Sequence, residues 1–252
     1  MAPPFPPAGY SEDIVRRVRV VFNGQYVVDE KKPKLVFAAR WERPYYPIYY
    51  FPQTAITDEK YLANKTTPSD NPESVIYDLV VGGRKSPAAV TFFASGNFAG
   101  YAKIAIDKVD AWFEEDERIF SHPKDPYKRI QILQSSKNVR VEIDGVEVAN
   151  TVHPKLLYET GLPVRTYIPH TDVRLDLLKA DDNLQTSCTY KGDANYYIVV
   201  LPGGQEKTGL AWWYKNPTAE SADIKGHVAF YDEKVDVWVD GVRQEKPPSP
   251  FA

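Results

Sequence analysis

The chain contains a single cysteine, a single methionine and only four histidines in 252 residues. A lone Cys188 excludes an intramolecular disulfide and any multi-cysteine zinc site, and it fits a reducing compartment. There is no excess of positive charge. With a net charge of −3, the chain offers no basic field, so neither nucleic acid nor a membrane surface is expected as a partner. No apolar stretch approaches membrane-spanning length. The opening MAPPFPPAGYSED lacks the basic start and apolar run of a secretory signal, so the cytoplasm is the expected location. Also missing are a Gly-rich phosphate loop, a dinucleotide fingerprint, His-Glu-x-x-His and Gly-x-Ser-x-Gly. The acidic run Glu114-Glu115-Asp116-Glu117 reads as a solvated turn, and no paired-aspartate strand suits two-metal chemistry. Neither a metal nor a cofactor is expected.

What the chain does contain, it contains twice. "KVDAW" (108–112) returns as "KVDVW" (234–238), and "VRVVFNGQYVVDEKKPKLVF" (18–37) overlies "VRVEIDGVEVANTVHPKLLY" (139–158) without a gap. "YYFP" (49–52) and "TYIP" (166–169), then "YDLVVGG" (77–83) and "YYIVVLPGG" (196–204), follow in the same order. Order and near-constant spacing identify a tandem duplication. The expected organisation is a Pro-rich segment 1–13, repeat one 14–120, a linker 121–137, repeat two 138–246 and a tail 247–252.

Period-two alternation and abundant β-branched and aromatic residues make each repeat a small, mainly β, antiparallel domain with short helices. Asn23-Gly24 and Asp144-Gly145 mark a hairpin in each copy. "HTDVRLDLL" (170–178) predicts a helix of about two turns, capped by Thr171 or Asp172. Alternation in the twin pentapeptides predicts Val109, Ala111 and Phe113, like Val235, Val237 and Val239, facing the core. Trp112 and Trp238 are then both expected on the polar face. "WERPYYPIYYFP" (41–52) is an aromatic segment broken by prolines, suited to covering an apolar ligand or to joining the two repeats.

The copies diverge at "TSCTYKGDANYYIVV" (186–200), which repeat one replaces with "TPSDNPESVIYDLVV" (67–81). Together with "DVRLDLL" (172–178), "WWY" (212–214) and "IKGHVAFYDEKVDVWVDG" (224–241), this stretch resembles the DUF427 family, which carries a nucleotidyltransferase-like label. The resemblance covers most of repeat two. Repeat one shares only its first hairpin and last strand, and it has Tyr101 in place of His227. The resemblance implies an antiparallel fold of the β-tent kind, and a two-copy arrangement as in some fungal members.

The reactive inventory lies in repeat two. Lys191, in a turn beside Gly192, reads either as a solvated lysine or as a buried base or amine nucleophile. Lys191 and His227 are the expected acid/base pair, His227 as the candidate proton shuttle, and Tyr196 or Tyr231 would hold a substrate oxygen. Tyr190, Trp213, Tyr231, Asp176 and Cys188 complete the expected binding wall, Cys188 also reading as a small buried residue. The expected activity is metal-free acid/base catalysis on a small organic molecule, of lyase, isomerase or cyclase type, in specialised metabolism. A non-catalytic binding module is the alternative, and nucleotidyl transfer the third reading.

Overall fold

Asn23 and Gly24 both adopt positive φ (47° and 73°), as do Asp144 and Gly145 (50° and 80°). These are the conformations that a two-residue turn of type I′ requires. Each turn closes the expected hairpin, Val18–Phe22 with Gln25–Glu30 and Val139–Ile143 with Val146–Thr151. The computed structural model describes residues 6–7, 9–37, 46–69 and 71–248. Pro3 and Pro4 of the Pro-rich start, residues 41–45 of the aromatic segment and residues 249–252 of the tail lie outside the described residues.

The chain divides into two compact units, Met1–Asp125 and Pro126–Ala252. The fold class is mainly β: two tandem copies of a small antiparallel, β-tent-like domain with short helical turns. Each copy pairs a seven-stranded sheet with a four-stranded one. In repeat two the larger sheet runs, in spatial order, Ile130–Gln134, Lys155–Glu159, Arg165–Pro169, His227–Phe230, Glu206–Tyr214, Gly192–Val200 and Leu178–Cys188. Its first strand falls within the 121–137 segment expected as linker. The smaller sheet joins the hairpin to Asp236–Val239 and Val242–Arg243. Repeat one has the same order, its large sheet running from Ser11–Asp13 through Lys34–Val36, Ile48–Pro52, Tyr101–Ile104, Arg84–Phe93 and Ser74–Val81 to Leu62–Thr66. No helix among the described residues is long and apolar enough to cross a membrane.

Alternation sorts side chains between two faces. Val228 and Phe230 join a core with Val139, Val141, Ile143, Val235 and Val237 of the smaller sheet. Ala229, between them, joins a separate cluster on the opposite face with Leu157, Tyr167, Tyr196, Trp212, Tyr214 and Ile224. That second face positions the candidate site.

Two expectations are corrected. No α-helix spans 170–178. His170–Asp172 and Leu175–Leu177 form single 3₁₀ turns, and Val173 between them is extended (φ −111°, ψ 141°). Val173 bridges to Ala149 while the Arg174 amide donates to the Val148 carbonyl, so pairing with the strand Val146–Thr151 outcompetes a helical turn. Asp172 does not cap either turn; it accepts from the Thr151 and Thr171 hydroxyls.

The second correction concerns the tryptophans. Trp238 lies on the outer face, half-buried, with the Arg140 guanidinium 4.3 Å from its ring centroid. Trp112 is 4% exposed, in the core beside Tyr49 and Phe51. The cause is register. Trp112 pairs with Val20, whose counterpart Val141 pairs with Val237, while Arg140 pairs with Trp238 and its counterpart Arg19 with Phe113. Residues 105–110 separate the last two long strands of repeat one, but only residues 231–235 do so in repeat two. The extra residue slides the pentapeptide by one position, and a one-residue slip reverses every side chain.

Candidate functional site

A charged residue on an otherwise apolar strand face must find a partner, and Arg165 does. It alternates with Tyr167 along Arg165–Pro169 and so faces the aromatic cluster. Its two terminal nitrogens donate to both oxygens of Glu233, at 2.9 and 2.8 Å, and Nη1 also donates to the Phe230 carbonyl at 3.3 Å. The guanidinium carbon lies 5.4 Å from the ring centroids of both Trp212 and Tyr231, which are 4.3 Å from one another. The planar cation is therefore fixed by a bidentate ion pair and by two rings.

Hydroxyl groups extend from this point. Tyr231 is hydrogen-bonded to Tyr196, whose hydroxyl lies 2.9 Å from Thr186 Oγ1 at the exposed edge strand. The Trp212 indole donates to the Tyr167 hydroxyl. Burial raises the Tyr231 phenol well above its ordinary range, and the bond to Tyr196 adds to this, so that phenol is neutral near pH 7. Beside Tyr231, Asp232 retains 17% side-chain exposure and lies 3.9 Å from Arg165 Nη1. Arg165 spends its hydrogen bonds on Glu233, and burial dominates at Asp232. The Asp232 carboxyl is pushed up to about 6, with Glu233 adding to the rise and Arg165 opposing it.

A second charged group closes the other end of the cluster. Lys191 and Lys128 both donate to Glu159, whose side chain is 6% exposed. Burial pushes the Glu159 carboxyl up, but the two ammonium groups outweigh it and hold it below the usual range. The turn carrying Lys191 is tightly built. Gly192 has φ +96°, and a Cβ there would meet the Asn216 carbonyl oxygen at 2.9 Å, so only glycine fits. The Tyr190 carbonyl accepts from Thr218 and Ser221, and its buried ring lies 5.5 Å from the Lys128 ammonium.

The structure brings together some of the expected site residues and separates others. Tyr196 and Tyr231 share the aromatic face, and Tyr190 and Lys191 adjoin it. Cys188 is half-buried at the end of its strand, paired with Gly192. His227 is engaged apart from Lys191, with Nδ1 2.9 Å from the Lys225 carbonyl. Burial lowers its pKa, outweighing that bond. His227 occupies the place of Tyr101, each pairing with the proline that ends the neighbouring strand, Pro169 or Pro52. Trp213 lies on the opposite face, stacked on Tyr197 (6.0 Å, 13°) and edge-on to His170 (5.5 Å, 90°). Asp176 is exposed and paired with Arg174. Strand alternation removes the first from the face, and the 3₁₀ turn removes the second.

Sequence reasoning missed Arg165, Glu233, Asp232 and Glu159. The available signal was the pattern in "VRTYIP", where an arginine shares a face with an inward tyrosine, and the acidic pair in "YDEK" after a core strand. Among the described residues, no three His, Cys, Asp or Glu side chains converge as metal ligands.

A family described as a domain of unknown function, DUF427, matches residues 11–115 and 131–241. No curated protein matches the chain. With both repeats covered by the match, the chain belongs to the DUF427 family as a tandem two-copy member.

Proposed function

We propose that repeat two is a cytoplasmic acid/base catalyst of lyase, isomerase or cyclase type, acting on a small organic molecule in specialised metabolism. The observation that carries this reading is the juxtaposition of Asp232, a carboxyl poised to titrate at about 6, with the Tyr231–Tyr196–Thr186 hydroxyl chain on an aromatic face. A base with a pKa near the working pH combines a useful ionised fraction with a real driving force for proton removal. Asp232 would take or return the substrate proton. Tyr231 and Tyr196 would hold a developing oxygen charge and connect it to the surface through Thr186. Trp212 and Tyr231 supply the apolar wall. Lys191 acts structurally, tying its turn to Glu159, and His227 stands outside the reacting set.

The test is substitution combined with a panel of small aromatic and polyketide-like compounds. For any compound turned over, Asp232→Asn and Tyr196→Phe should each lower kcat by about 100-fold or more while leaving its Kd within about threefold. Unchanged turnover in both variants would remove these residues from catalysis. The binding-module reading draws on a different observation, that Lys191, Lys128 and Arg165 are all engaged by buried carboxylates. It predicts binding of a panel compound with no turnover.

A further inference from the structure

The same face is built differently in repeat one. The cross-strand row that reads Tyr167, Ala229, Trp212 in repeat two reads Tyr50, Lys103, Thr91 in repeat one. A lysine thus replaces an alanine in the middle of a seven-stranded sheet. Its ammonium lies 5.8 Å from the Phe93 ring centroid. Phe93 stacks on Tyr50 (5.0 Å, 12°), and Phe98 meets Tyr50 edge-on (4.8 Å, 65°). Among the described residues, Lys103 has neither a carboxylate partner nor a hydrogen bond to its ammonium. The nearest charge in the row, Lys34 on the far side of Tyr50, is itself held by Asp13. Tyr101, the other titratable side chain on this strand, lies under the Lys34 ammonium, 5.5 Å from it. Half-buried lysines usually gain a carboxylate or reach water along an apolar stem.

We propose that Lys103 is an amine nucleophile, and that repeat one captures an apolar aldehyde or ketone as an imine, the ligand's hydrocarbon resting against Phe93, Tyr50 and Phe98. Burial, unopposed by any acidic neighbour among the described residues, lowers the Lys103 ammonium below the ordinary lysine range and enlarges its neutral fraction. The neutral nitrogen adds its lone pair to the carbonyl carbon, and the C=O π pair moves to oxygen. A proton passes from nitrogen to that oxygen, and the carbinolamine expels water as the C=N bond forms. The step consumes no oxidant or reductant, and hydrolysis reverses it. This site is independent of the chemistry proposed for repeat two.

The test uses the intact wild-type chain, benzaldehyde and sodium cyanoborohydride, which reduces a transient imine to a stable benzylamine that peptide mass spectrometry locates. Lys103 should be modified at least about tenfold faster than the exposed Lys31 and Lys108, with a pH midpoint below the ordinary lysine range. The preference should vanish in denaturant. Phe98→Ala, which leaves the lysine in place, should reduce it several-fold. Modification of Lys103 at the rate of Lys31 and Lys108, or a preference that survives unfolding, would overturn the assignment. An unchanged preference in Phe98→Ala would overturn the aromatic seat.

Discussion

Lys191 donates its ammonium to the Glu159 carboxylate, joining the turn after one edge strand to the end of a strand near the opposite edge of the same sheet. The pair is buried, with side chains 14% and 6% exposed, and Lys128 donates to the same carboxylate at 3.2 Å. Removing one partner of a buried pair leaves the other desolvated, at a typical cost of about 3–5 kcal/mol. Because Lys128 remains, Lys191→Met is expected to cost about 2–3 kcal/mol in urea unfolding. Lys191→Met combined with Glu159→Leu should recover part of that loss, and a further loss would show that the cost of leaving Lys128 without Glu159 exceeds the gain from removing the buried pair.

Asp232 makes stability depend on pH in an unusual direction. Its folded-state pKa of about 6 lies above the ordinary value of 3.8, so between these limits the folded chain binds more protons than the unfolded one. The contribution of this carboxyl is therefore fully present below about pH 4 and is lost as pH rises through 6. Asp232→Asn, which cannot ionise, should match the wild type in stability near pH 4 and exceed it by about 2–3 kcal/mol at pH 8. Paired urea titrations at the two pH values measure this directly. An Asn variant less stable at pH 8 than at pH 4, relative to wild type, would contradict the environment described for Asp232.

The twin tryptophans should behave oppositely. Trp112 is a core residue, and Trp112→Ala should cost about 3–5 kcal/mol. Trp238 contributes mainly its stacking against Arg140 on the outer face, so Trp238→Ala should cost about 1 kcal/mol or less. Equal losses in the two variants would count against the one-residue difference in register.

His227 should titrate below 6.5, since burial outweighs its bond to the Lys225 carbonyl. Its ring C–H resonances should report a neutral imidazole at pH 7 and a midpoint that Lys191→Met leaves in place. A midpoint that moves with Lys191 would restore the expected acid/base pairing of these two residues.

How much of this was legible before folding follows from what alternation can and cannot encode. The duplication, the β class and both hairpin turns follow from local pattern, because Asn23-Gly24 and Asp144-Gly145 specify their own backbone conformation. The place of Tyr101 opposite His227 was also readable. The faces of Trp112 and Trp238 were not, because one inserted residue between strands leaves the pentapeptides alike while reversing one of them. The partners of Lys191 and Arg165 lie 32 and 68 residues away in sequence, and only the sheet's long-range pairing brings Glu159 and Glu233 to them. Lys103 escaped for a related reason: beside Ala102 and Ile104 it reads as an outward lysine, and only the aromatic residues of neighbouring strands make its face apolar.

The central claim is that the aromatic face of repeat two receives a small organic molecule at Asp232 and Tyr231. The most direct measurement is a high-resolution crystal structure of the full chain soaked, in separate experiments, with the aromatic compound panel and with nucleoside triphosphate plus magnesium. The account predicts organic density within hydrogen-bond reach of Asp232 and against Trp212 and Tyr231, with no nucleotide there. Nucleotide density at that face, or organic density only elsewhere, would contradict it.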